Sequence, residues 1–221
     1  MSVWGILTQY REGLTEGILV TLKLCLIVWS MGVVFGCALG WAGARWKLLV
    51  GSPSRVVSFL LSGVPALVLL FWLHYPVQAM MNVVIPPFIT ACVALSIMNT
   101  FAVADLVRNV LVDFPRQYIL AAQVCGMSTK STFFNIQLPL VFRQILPGLL
   151  LIQVNMLQAT LFASLISVEE IFRVVQRINA SIYRPIELYS ALALFFLAIC
   201  LPLNGLALWL KKTYTRDMSE R

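Results

Sequence analysis

The sequence predicts an all-α integral membrane protein with about five spanning helices, and three observations carry that prediction. Hydrophobic residues make up 60% of the chain and charged residues 11%, against about 25% charged in soluble proteins. The charges are also unevenly placed, leaving charge-free runs at 24–44, 56–104 (with only the ionisable His74 inside), 144–168 and 188–210. A bilayer core takes about 20 apolar residues per helix, so the second run is long enough for two helices divided near 74–87. The expected spans are 16–44, 54–75, 83–108, 141–168 and 188–211, within a single domain over 1–221.

In the first span Gly32, Gly36, Gly40 and Ala44 recur every four residues and form a smooth ridge on a helix. Small residues let helices approach closely in lipid, so the ridge is a packing surface for a neighbour in this chain or in another. Ahead of it, Trp4, Leu7 and Leu14 suit a short helix lying on the membrane surface. The second span ends at His74, beside Tyr75 and Pro76. A lone histidine with no second His or Cys near it reads as an interfacial residue and not as a metal ligand.

In the third span Ser96, Asn99 and Thr100 share one helical face, and Asp105 further along pairs with Arg108. In the fourth, Gln153, Asn155, Gln158 and Thr160 place amides and hydroxyls at membrane depth. Uncompensated polar groups are costly there. These residues therefore face each other, a water-filled cavity or a passing solute, and interhelical bonding and a translocation path are both open readings. Pro65, Pro86, Pro87, Pro139, Pro147 and Pro202 can kink or break their helices.

Between the third and fourth spans, 115–147 is a polar and basic interlude with helix punctuation. Pro115 has the fixed backbone angle of a helix's first turn. The short helix after it carries the small or compact Ala121, Ala122, Val124 and Cys125, which permit close approach of another protein, and Gly126 supplies a left-handed stop. Ser128 caps a second short helix, with Lys130 in its first turns, and Leu138-Pro139 breaks the element before the next span. The stretch reads as a cytoplasmic docking element.

Lys and Arg set the orientation. Arg45, Lys47 and Arg55 follow span one, Arg108, Arg116, Lys130 and Arg143 surround the docking element, and Lys211, Lys212, Arg216 and Arg221 lie in the tail. The 75–87 loop has no formal charge, and the 169–187 connection balances Arg173, Arg177 and Arg184 against Glu169, Glu170 and Glu187. The expectation is N-terminus out and C-terminus in. The net charge of +7 then reflects membrane anchoring and not nucleic-acid binding. The first residues lack the basic start and compact apolar core of a cleavable signal, so the first span directs insertion. Five cysteines lack metal-like spacing and read as small packing residues. No Gly-rich lysine loop, paired catalytic carboxylates or nucleophile beside a histidine occurs, which excludes catalytic residues, a metal site and a cofactor of the chain's own.

Ala121-Ala122, then Gly126 and later Leu138-Pro139, resembles the EAA loop of ABC-importer permeases, here 115–139. Further residues resemble the polar amino acid uptake family of such permeases: Gly17, Thr21 and Leu22 its Gly-x-x-x-Thr-Leu opening, Gly63-Val64-Pro65 its Arg-Gly-Thr-Pro turn, Asp105 with Arg108 the end of its third span, and 160–171 the stretch after its fourth. The match covers nearly the whole chain. Leu120 stands where the loop has its acid, Ser62 where the turn has Arg, and Gln158-Ala159-Thr160-Leu161 where the family has Lys-Asp-Thr-Ser.

The resemblance implies a type I importer permease in a bacterial cytoplasmic (inner) membrane. It implies ATPase coupling through Pro115, Ala121, Ala122, Gly126, Ser128, Leu138 and Pro139, with ATP and Mg on separate ATPase subunits. It also implies a second permease, distinct in view of the departures at 62 and 120, and an extracytoplasmic solute-binding protein. Substrates would be amino acids or related small zwitterions. The alternatives are a non-transporting scaffold of the same fold and an ion-coupled secondary carrier.

Overall fold

The computed structural model describes residues 3–215; these are almost wholly helical, with no strand among them. The basic tail residues Arg216 and Arg221 lie outside the described residues. Helix α1 (Val3–Gln9) leads into α2 (Arg11–Arg45). At 35 residues and about 1.5 Å each, α2 outruns a hydrocarbon core of about 30 Å. Its first turns project beyond that core and meet α10 (Ile171–Ile182), a helix lying in the connection 169–187.

There α1 takes a different place from the one expected. Ile6 and Leu14 are buried in one cluster with Ile171, Val174, Val175 and Ile178, and Leu7 packs against it, while Trp4 is exposed. Residues 171, 174, 175 and 178 form an apolar stripe on one face of α10. With Leu188 and Leu192 of α11 (Pro185–Thr215) that stripe completes a cluster that takes in Ile6, so α1 is docked on the fold against α2 and α11 and does not lie free on the membrane.

The second span is broken. Helix α3 (Ser52–Gly63), preceded by a π-helical turn at Lys47–Gly51, meets α4 (Ala66–His74) and α5 (Pro76–Met81) at 98°. Pro65 causes the break: its ring keeps Val64 extended, at φ −99° and ψ 120°, and it has no N–H to continue the ladder. The described residues thus form four long apolar helices and one bent pair, in place of a straight helix over 54–75.

The central seam is α2 against α6 (Pro87–Val112). A Cβ added at Gly36 would lie 2.6 Å from the Val103 Cβ, and at Gly40 2.7 Å from the Ala104 carbonyl oxygen. The neighbour of the glycine ridge is therefore a helix of the same chain. The ridge continues through buried Gly43 and not through half-buried Ala44. Steps of four residues drift by about 40° on a 3.6-residue helix, and a step of three returns to the seam.

After α7 (Arg116–Val124) and α8 (Thr129–Thr132), a π-helical turn at Phe133–Gln137 runs into α9 (Leu138–Ala159), which continues as a 3-10 segment at Thr160–Ile166. Leu138-Pro139 therefore does not break the element. The Leu138 N–H reaches the Phe133 carbonyl, five residues back, and this widened turn takes up a proline that has no N–H to give. Helix α11 (Pro185–Thr215) closes the bundle against α9. Pro147 and Pro202 sit inside continuous helices.

Candidate functional site

At membrane depth the polar residues divide by helical face. Asn99 on α6 is fully buried; its amide donates to the Val28 carbonyl at 2.9 Å and to Gln153 Oε1 at 3.0 Å. Gln153 Nε2 returns a bond to Asn99 Oδ1 at 3.3 Å. This reciprocal pair ties α2, α6 and α9 together. Gly32 makes it possible, because a Cβ there would sit 2.2 Å from Asn99 Nδ2. Ser96, a turn away, is buried with no partner for its hydroxyl among the described residues. Thr100 is half-buried, and Thr160 is buried and spends its hydroxyl on the Leu157 carbonyl at 2.7 Å.

Asn155 and Gln158 point elsewhere. Both are exposed, and Gln158 lines a groove of about 520 Å³ with Phe196, Cys200, Asn204 and Gly205 of α11. A helix turns roughly 100° per residue, so Gln153 and Asn155 cannot share a face. The candidates over 96–160 do not converge within this chain: Asn99 and Gln153 form a satisfied internal junction, Ser96 and Thr160 are buried without bonds to it, and Asn155 and Gln158 lie on the outer surface of α9.

Two further polar clusters occupy one end of the bundle. Thr21 accepts a bond from the Ile171 N–H at 3.1 Å, and a Cβ at Gly17 would lie 2.9 Å from a Val174 methyl. The Gly17 and Thr21 pattern is thus the seat of α10. Glu170 caps that helix: its two carboxylate oxygens accept from the Phe172 and Arg173 N–H groups, each at 2.9 Å. Burial pushes its carboxyl up to about 7, against the lowering effect of those two bonds. Nearby, Gln78 donates to Thr90 at 3.0 Å, contacts His74 Nδ1 at 3.1 Å, and accepts from the Ile85 N–H at 2.8 Å. His74 therefore helps hold the bent pair against α6. Neither cluster was expected from the sequence. An acid just before an amphipathic run is the one signal that could have pointed to Glu170 as a cap.

At the other end, Asp105 pairs with Arg108 at 2.5 Å, as expected, and also takes a hydrogen bond from Ser58 of α3. The extramembrane element is built on local chemistry. Pro115 sits just before the first helical residue of α7. The helix ends in a Schellman arrangement, in which Met127 N–H reaches the Ala122 carbonyl and Gly126 N–H the Gln123 carbonyl, both at 3.0 Å, with Gly126 at φ +74°. Ser128 accepts from the Ser131 N–H at 3.2 Å and so caps α8. Ala121, Leu120, Val124, Gly126, Ser128, Leu138 and Pro139 are exposed, whereas Ala122 is buried and faces its own fold. Phe114, which the sequence reading passed over, is buried with Val103, Val107, Val141 and Ile145, and Tyr118 and Ile119 pack on that cluster. These aromatic and aliphatic contacts fasten the element to α6 and α9.

A bundle of apolar spans, one of them broken, with a compact two-helix element anchored at one end, defines a multi-pass membrane component. Residues 32–216 match the family of binding-protein-dependent transport system inner membrane components, and the chain belongs to that family. It is 30% identical over 205 residues to the octopine transport system permease of Rhizobium radiobacter, covering 88% of this chain and 83% of that protein. It is 28% identical to the histidine/lysine/arginine/ornithine transport system permease of Salmonella typhimurium, over 90% of this chain and 92% of that one. The glutamine transport system permease of Escherichia coli is 27% identical, over 91% and 92%.

Among solved structures, an amino acid ABC transporter crystallised with histidines superposes with a TM-score of 0.78 at 23% identity, over 94% of this chain and 96% of that one. The inward-facing MetNI methionine ABC transporter gives 0.70 at 15% identity, over 93% and 98%. The fold is that of an ABC importer permease.

Proposed function

We propose that this permease forms the translocation path for amino acids or related small zwitterions and is driven by separate ATPase subunits that dock on residues 115–139. The observation that carries the coupling role is the anchoring of α7 through Phe114, Tyr118 and Ile119 to the two helices that also hold the pair of Asn99 and Gln153. A displacement of the docking element thereby moves α6 and α9 as a body. ATP and Mg reside on the ATPases, whose closure on ATP shifts the spans between states of different solute affinity. The octopine, histidine and glutamine permeases support the substrate class, and an extracytoplasmic binding protein delivers the solute.

A second permease, distinct from this one, completes the path. Amides facing lipid are costly, so exposed Asn155 and Gln158 mark the face that the second subunit or the solute covers. Leu120, in place of the loop's acid, presents an apolar contact to the ATPase. The C-terminus lies on the ATPase side and the N-terminus outside.

The test is affinity purification in mild detergent from the native membrane, with mass spectrometry of bound subunits and an ATPase assay. Recovery of an ATPase and a second permease, with substrate-stimulated turnover lost in Gly126→Arg, is the expected result. Because Ala122 faces inward, Ala121→Arg is the better companion variant. Normal uptake in both variants would remove the docking role.

A further inference from the structure

At the end of the bundle where the basic residues gather, a cavity of about 540 Å³ opens between the close of α2, the π-helical turn, α3 and α6. Its lining includes Lys47, Arg55, Arg108, Asn109, Asp113 and Leu48. Arg108 is committed to Asp105. Lys47 and Arg55 form no ion pair among the described residues, and Asp113 is the one carboxylate in the lining. Two cations outside any ion pair, against one carboxylate, thus leave a net positive charge in a concave space that closely apposed Gly43 and Gly51 help to form. This arrangement attracts an anion of phosphate size with a short polar appendage.

The rim decides where the anion comes from. Leu48 and Leu49 are 87% and 82% exposed, and Trp46 lies half exposed with its ring edge-on to Trp41 at 6.2 Å. Exposed leucines beside tryptophans belong at the boundary of hydrocarbon and headgroups. At that depth the bilayer itself presents phosphates, and a basic pocket between spans is the form that headgroup sites take. An acidic surface of a water-soluble partner would leave those leucines and tryptophans unmatched.

We propose that this cavity holds the headgroup phosphate of an anionic phospholipid, with Lys47 and Arg55 as its cationic contacts and Leu48 and Leu49 against the acyl chains. The lipid would brace the junction of α2 with the broken second span, where the backbone leaves regular α-helix.

The test places the protein, purified in mild detergent with its bound subunits, in nanodiscs containing spin-labelled phosphatidylglycerol or phosphatidylcholine. Electron paramagnetic resonance reads the immobilised lipid. The wild type should hold phosphatidylglycerol in preference to phosphatidylcholine. The double variant Lys47→Gln/Arg55→Gln should lose that preference by up to about 25-fold, about fivefold per cation removed near the headgroups. Arg143→Gln/Lys212→Gln, which removes the same charge from exposed positions outside both the cavity and the docking element, should keep it.

Equal losses in both pairs would reduce the effect to diffuse attraction and overturn the site, as would full retention in Lys47→Gln/Arg55→Gln. Inorganic phosphate that binds in phosphatidylcholine discs and displaces phosphatidylglycerol would make this a free-phosphate site and overturn the lipid assignment. A preference present in the isolated chain but absent in the assembled complex would give the cavity to a protein partner, and would also refute it.

Discussion

Gly32→Ala adds a methyl at the point where the chain is most crowded. The new Cβ falls 2.2 Å from Asn99 Nδ2, 2.3 Å from Cγ and 2.7 Å from Cβ. Comfortable contact needs about 3.5–4.0 Å, so α6 must retreat by about 1.5 Å or Asn99 must turn away. Turning gives up its bonds to Val28 and Gln153 and the return bond from Gln153. At about 0.6 kcal/mol for each hydrogen bond in a membrane protein, that loss is about 2 kcal/mol. Overpacking adds roughly 1–3 kcal/mol, and the better helix propensity of alanine offsets about 1 kcal/mol. The expected net destabilisation is about 2–4 kcal/mol.

Thermal unfolding in detergent, followed by loss of the monodisperse species, measures the cost. Gly205→Ala is the control, since nothing lies within 4 Å of its added Cβ. Truncating the obstacle in Gly32→Ala/Asn99→Ala should cost less than the sum of the two single changes, because the same bonds cannot be lost twice. If Gly32→Ala and Gly205→Ala unfold together, or if the double mutant is strictly additive, the packing argument for the seam is wrong.

Other consequences follow from the two ends of the bundle. Glu170 titrates near 7 in the fold against an ordinary 4.5; the folded state therefore binds the proton more tightly, and stability falls as pH rises from about 4.5 through 7. The drop is on the order of 3 kcal/mol, and a flat pH dependence of unfolding, or an unchanged slope in Glu170→Gln, would contradict the assignment. Asp105→Asn strands the charge of Arg108 and should cost roughly 2–3 kcal/mol, less than a fully buried pair because Asp105 is 33% exposed; Asp105→Asn/Arg108→Met should recover part of it in the same unfolding assay. Gly126→Ala meets no neighbour but keeps the left-handed backbone, so a loss of about 1–2 kcal/mol is expected with the spans unaffected, and amide exchange confined to the ends of α7 and α8 would show it. A reporter fused after Arg221 should behave as cytoplasmic; periplasmic activity would reverse the orientation.

Much of this protein follows from sequence order alone. Charge-free runs long enough to cross a bilayer specify how many apolar elements there are, because burying a charge in lipid costs more than any local preference returns. Gly126 and Ser128 announced a helix stop and a cap that depend only on adjacent residues, and Asp105 announced its pairing with Arg108 one helical turn away. Tertiary structure decided what those elements meet. It made the glycine ridge an internal seam and moved its end from Ala44 to Gly43. It turned Ala122 inward, and it separated Gln153 from Asn155 and Gln158 by helical phase. It also drew Glu170 into the core and docked α10 on the start of α2, placements that depend on residues about 150 positions apart along the chain, such as Thr21 and Ile171. Periodicity states which side chains share a face, whereas the identity of the opposing face is settled only when the helices cross.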